Sequence, residues 1–118
     1  MRLAVFSGTN DPRQPFPNQP QVISIAEPAF NKDGPTVADW NGDGIADLIV
    51  PMEDGAVVVP GSPRGLDPAR RTVIRLDYQP HGDTRLAVAD FNGDGKPDLA
   101  GWGPSSVGAT AVYVWLRP

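Results

Sequence analysis

Asp39-Trp40-Asn41-Gly42-Asp43-Gly44-Ile45-Ala46-Asp47-Leu48 and, fifty-one residues on, Asp90-Phe91-Asn92-Gly93-Asp94-Gly95-Lys96-Pro97-Asp98-Leu99 are two copies of one acidic loop. Oxygen-bearing side chains stand at loop positions 1, 3, 5 and 9, and glycine stands at position 6. A hard cation such as calcium takes six to eight oxygen ligands, and this spacing aims alternate side chains at one point. Glycine at position 6 allows the sharp turn that wraps the backbone around the ion. At position 7 the carbonyl is the expected ligand, so the side chain is free to differ, as Ile45 and Lys96 do. The expected metal set is Asp39, Asn41, Asp43, Ile45 and Asp47 in one loop, and Asp90, Asn92, Asp94, Lys96 and Asp98 in the other. Two calcium ions per chain are the expected cofactor.

Other metals fit less well. The chain has no cysteine and one histidine, His81, outside both loops, so zinc, copper and iron–sulfur sites lack their ligands. Magnesium prefers fewer protein ligands and more water. The chain carries 10 basic and 14 acidic residues for a formal charge of −4, which two divalent ions would cancel. An EF-hand is excluded because position 12 is Val50 in one copy and Gly101 in the other, not a bidentate acid. The flanks, Pro35 to Ala38 and Leu48 to Val50 in one copy and Arg85 to Ala89 with Leu99-Ala100 in the other, are short β-type runs. The loop therefore joins two strands. A pair of Asn-Gly hairpin turns with incidental acids is the bland alternative, but such a turn needs no Asp at positions 1, 5 and 9.

The repeat is longer than the loop. Gln21-Val22-Ile23-Ser24-Ile25 matches Thr72-Val73-Ile74-Arg75-Leu76, and Ala4-Val5-Phe6-Ser7-Gly8-Thr9 matches Val57-Val58-Val59-Pro60-Gly61-Ser62, with a looser echo at Val112-Tyr113-Val114-Trp115. One unit holds four apolar runs near 35–39, 46–52, 56–60 and 72–77, with Glu53-Asp54-Gly55 read as the turn before the third. Residues 1–30 supply strands three and four of a preceding unit, 35–77 a full unit with its loop at 39–47, and 84–118 three strands of the next with its loop at 90–98. Four-stranded units at this period predict an all-β fold of β-propeller blades, about two four-stranded antiparallel blades per chain.

These residues, Val37 to Leu48 and Val88 to Leu99, resemble the FG-GAP/VCBS repeat family, the calcium-binding blades of integrin α-like propellers and of many bacterial surface proteins. Val57 to Leu66 looks like that family's third strand and the turn after it. The resemblance implies calcium held between the first two strands of each blade. The Phe-Gly and Gly-Ala-Pro elements that name the family are not recognisable, so integrin-type ligand binding is not implied.

Length, with thirteen glycines and fourteen prolines, fits one domain of many short strands. No apolar run reaches the ~18–20 residues of a membrane span, and the first residues read as a strand, not a signal peptide. An acidic chain without basic clusters argues against nucleic acid. Loops lacking the twelfth-position acid should fill where calcium is near millimolar, so an extracellular or cell-surface setting is expected. Propellers need about four to eight blades, so the ring is expected to close by homo-oligomerisation or as part of a longer chain.

Among the other aromatic residues, Trp40 and Phe91 are expected between blades, and Trp102 over a blade edge. Trp102, Tyr78 and His81 are also the candidates for a ligand site, a sugar stacked between blades. No nucleophile sits beside an oriented base, and the paired acids are consumed as metal ligands, so no enzyme is expected. The expected function is adhesion or recognition of a protein or glycan, with a lectin, an architectural self-assembling subunit or a segment of a larger secreted enzyme as the rivals.

Overall fold

Short β-rich runs punctuated by glycine and proline give short strands. The computed structural model describes residues 2–16, 18–27, 34–52, 55–76, 85–104 and 110–118. Strands β1 (Arg2–Val5) and β2 (Gln21–Ser24) form an antiparallel pair. Strands β3 (Thr36–Ala38), β4 (Asp47–Met52), β5 (Gly55–Val59) and β8 (Thr72–Arg75) form a four-stranded antiparallel sheet in that order. Between β5 and β8 lie a small hairpin, β6 (Gly61–Ser62) with β7 (Gly65–Leu66), and a 3-10 turn at Pro68–Arg70 capped by the Asp67 side chain. Strands β9 (Arg85–Ala89), β10 (Asp98–Pro104) and β11 (Thr110–Trp115) make a three-stranded sheet with β10 in the middle.

Register repeats as faithfully as sequence. Ala38 faces Asp47 in the four-stranded sheet, and Ala89 faces Asp98 in the next. Leu48 faces Val59, as Leu99 faces Trp115. Val58 faces Thr72, as Val5 faces Gln21 in the first pair. Length differences between units are absorbed in the connections, not in the ladders.

The middle sheet is covered on both faces. Val50, Met52, Val57 and Val59 pack on Ile23 and Ile25 of the first pair. Ile49, Ala56 and Val58 pack on Leu99, with Leu86, Val88 and Trp115 against them. Burial on two faces explains why β4 and β5 are apolar without alternation, whereas β11, covered on one face, alternates exposed Val112 and Val114 with half-buried Tyr113 and Trp115. Pro51 is tolerated in β4 because β3 ends opposite Ile49, leaving Pro51 a partner only on the β5 side. Between the two larger sheets, β3 and β9 make the most extensive backbone approach, so the sheets converge at their first strands.

The first pair is also tied to the middle unit by polar groups. The Gln21 side-chain amide donates to Leu66 O at 2.7 Å and accepts from Leu66 N–H at 3.1 Å. Arg71 Nε donates to Glu27 Oε1 at 2.8 Å. The hydrogen bond from Arg71 holds the Glu27 carboxyl below its ordinary 4.5. A lowered folded pKa means stability present above 4.5 and lost as pH falls through the folded value. We expect the melting-temperature gap between wild type and Glu27→Gln to be steady at neutral pH and to close below that range. A gap unchanged in acid would show that the ion pair contributes nothing.

Candidate metal centre

Each acidic loop leaves the first strand of a sheet and enters the second, from β3 to β4 and from β9 to β10. Two glycines in each loop take left-handed backbone, Gly42 and Gly44 at φ 77° and 83°, Gly93 and Gly95 at 76° and 82°. Position 6 is the turn the sequence predicts, and the Asn-Gly pair at positions 3 and 4 signals the second. A Cβ at any of the four would meet open space, so the requirement is conformational and not steric.

The first-position aspartate gathers the loop backbone. Asp39 Oδ1 accepts from Gly42 and Asp43 N–H at 2.8 and 3.1 Å, and Oδ2 from Gly44 N–H at 2.8 Å. Asp90 accepts from Gly93, Asp94 and Gly95 in the same pattern, at 2.7, 3.1 and 2.8 Å. The Gly95 N–H is the main cause that lowers the Asp90 carboxyl; partial desolvation opposes it, and the Gly93, Asp94 and Asn92 amides add to the lowering. Position 3 accepts from position 5, through Asn41 Oδ1 at 3.0 Å and Asn92 Oδ1 at 3.2 Å. Position 5 accepts from position 7, Asp43 from Ile45 N–H at 2.8 Å and Asp94 from Lys96 N–H at 2.9 Å.

The ninth-position aspartates are buried, Asp47 at 1% and Asp98 at 0% exposure. Asp47 Oδ2 accepts from Trp40 N–H at 2.8 Å, and Oδ1 from Gly61 N–H at 2.8 Å. Asp98 does the same with Phe91 N–H at 2.9 Å and Arg117 N–H at 2.7 Å. Each staples the start of its loop to the backbone just past the sheet's third strand. Such charge-assisted bonds are what a buried carboxylate requires. That partner, fourteen residues on in the first copy, was beyond sequence reading.

Positions 1, 3 and 5 are thus brought together by shared backbone amides, with position 9 behind them. Among the described residues, no three acidic, histidine or cysteine side chains are gathered closely enough to hold an ion as the loops stand. The donor chemistry nonetheless fits a hard divalent cation. Each loop supplies three carboxylates and one amide oxygen, and every oxygen that accepts one N–H keeps further lone-pair capacity.

Between the two loops lies a cleft of about 350 Å³ lined by Trp40, Asn41, Lys96, Pro97 and Arg117, among others. The Arg117 guanidinium lies 4.8 Å from the centre of the Trp40 ring and also donates to Trp40 O. Trp40 therefore packs between sheets as expected, whereas Phe91 at the matching position is 47% exposed. Trp102 does not cover an edge: it lies on the central strand β10, paired with Arg85 and Val112, on the sheet's open face. Tyr78 and His81 lie outside the described residues.

No helix among the described residues is long and apolar enough to cross a membrane. Searches of curated proteins and of solved structures return no match. Residues 83–115, which contain β9, the second acidic loop, β10 and β11, match the family model of the FG-GAP repeat. FG-GAP repeats are β-propeller blades, and the antiparallel sheets described above are built accordingly. The match lies on the unit whose register the preceding sheet repeats, so residues 83–115 are similar to an FG-GAP repeat.

Proposed function

We propose that the chain is a calcium-stabilised propeller module that recognises another macromolecule, a protein or a glycan, outside the cell. The observation that carries this reading is the duplicated loop network, in which the side-chain oxygens at positions 1, 3 and 5 of each copy accept from the same loop amides. Asp39, Asn41, Asp43 and Asp47, with the Ile45 carbonyl, would hold one ion, and Asp90, Asn92, Asp94 and Asp98, with the Lys96 carbonyl, the other. Bound calcium would supply the positive charge that offsets three neighbouring carboxylates. The residues themselves fix the turn between the first two strands through their amide bonds. The module is read as binding and not catalytic. Its recognition surface is the loop end of the sheets, including the cleft beside Trp40, Lys96 and Arg117. Copies associating with one another are part of the same reading.

Native mass spectrometry with and without a chelator tests the ion assignment. Two calcium ions per chain are expected in wild type and none in the Asp43→Ala plus Asp94→Ala variant, with calcium raising the melting temperature of wild type only. Unchanged ion occupancy in the double variant would refute the ligand set. A glycan array then separates a lectin from a protein-binding module.

A further inference from the structure

Trp40 lines two clefts. One is the cleft of about 350 Å³ that it shares with Lys96 and Arg117. The other, of about 180 Å³, is lined by Trp40, Asn41, Val58, Pro60, Arg70 and Thr72, and by buried Asp47. Backbone bonds tie the walls of this smaller cleft together. Asp47 accepts from Trp40 and Gly61 N–H at 2.8 Å each and from Asn41 N–H at 3.3 Å. Asp67 N–H donates to Pro60 O at 2.8 Å, and the Asp67 side chain caps the turn Pro68–Arg70. Proline at the start of that turn presets its backbone, so Arg70 rises from a fixed base. The charge of Asp47 is met by its three N–H donors. The Arg70 guanidinium, in contrast, has no carboxylate or carbonyl partner among the described residues. Thr72 Oγ1 and Asn41 Nδ2 also lack a hydrogen-bond partner there, while Asn41 Oδ1 is committed to the loop.

A cation, a hydroxyl and an amide without partners, set beside an indole, define a ligand chemistry. A guanidinium binds a carboxylate through paired N–H donors. Hydroxyl and amide groups serve sugar hydroxyls as donors and acceptors, and an indole offers a flat apolar surface with a polar rim. We infer that the smaller cleft takes one uronate residue of an acidic polysaccharide, its carboxylate on Arg70, its hydroxyls on Thr72 and Asn41, and its ring against Trp40. The volume agrees, being below the ~300–1,000 Å³ of pockets that enclose drug-sized ligands. An acidic peptide would give Arg70 the same carboxylate but would leave Thr72 and Asn41 without hydroxyls. Trp40 and Asn41 line both clefts, so a polysaccharide leaving the smaller one runs toward Lys96 and Arg117. The inference rests on the reading of the loop end as a recognition surface, and it adds the chemical class of the ligand.

Titration calorimetry on the full chain in calcium-containing buffer tests it, with oligosaccharides of hyaluronan and of polygalacturonate as probes. A neutral chitin oligosaccharide and poly-glutamate are the comparisons. Wild type is expected to bind at least one uronate probe about tenfold more tightly than either comparison. Arg70→Gln is expected to weaken that binding about tenfold, and Thr72→Val about threefold, the scale of a charged and a neutral hydrogen bond. Arg64→Gln removes the same charge from an exposed arginine that lines neither cleft, and should bind as wild type does. Circular dichroism checks that the variants fold. Equal affinity for the chitin oligosaccharide or for poly-glutamate, an Arg70→Gln variant that binds like wild type, or an equal loss in Arg64→Gln would each overturn the inference. Failure of both uronate probes would overturn it alone, because the ion count and the binding of another macromolecule test the module reading separately.

Discussion

Asp47→Ala is expected to destabilise the chain by about 2–4 kcal/mol, because it strips the acceptor from two partly buried backbone donors at once. Trp40 N–H and Gly61 N–H belong to different parts of the unit, and Asp47 is the group that joins them. Asp47→Asn should recover little, since its amide turns one accepting oxygen into a donor facing an N–H. Asp43→Ala, without metal, should cost under about 1 kcal/mol, because its exposed partner Ile45 N–H can turn to water. Urea unfolding of the three variants in chelator checks the ranking. A midpoint for Asp47→Ala within error of that for Asp43→Ala would remove the staple from the account.

Gly55→Ala is the second large effect. Gly55 pairs with Arg75 across β5 and β8, and a Cβ there would lie 1.8 Å from Ile74 O and 2.9 Å from its carbonyl carbon. Backbone, not a flexible side chain, blocks the methyl group, so the ladder must part. The expected cost is about 2–4 kcal/mol. Gly42→Ala is the matched control. It also has positive φ, 77°, but open space around the site and an N–H that still reaches Asp39. That change should cost about 1 kcal/mol, the conformational part alone. Equal thermal shifts for the two variants would show that the clash is relieved without cost.

The loops and their flanking strands were legible because they repeat. Two copies spaced fifty-one residues apart declare which positions are oxygen donors and which are free to vary. The same spacing placed β3, β4, β9 and β10 closely, since alternation and loop position agree there. The start of the third strand was harder. Gly55 reads as a turn residue by composition, yet it begins β5, because only a residue without a side chain can sit against Ile74 O. The stretch from Gly61 to Arg71 reads as a long connection. Its hairpin is set by Ser62 and Gly65, and its anchor is Gln21, forty-five residues from Leu66, which no local pattern reveals. Phe91 and Trp40 are equivalent in sequence and different in environment, because their neighbours come from the sheet that follows each one.

Gln21 has a further consequence. Its side-chain amide gives one donor and one acceptor to a single residue, Leu66, as a neighbouring peptide group would. The polar part of the seam between the first pair and the middle unit therefore runs through two side chains, Gln21 and Glu27, beside the apolar contact of Ile23 and Ile25. Units joined this way can be parted, exchanged or multiplied over generations without disturbing the weave inside either one.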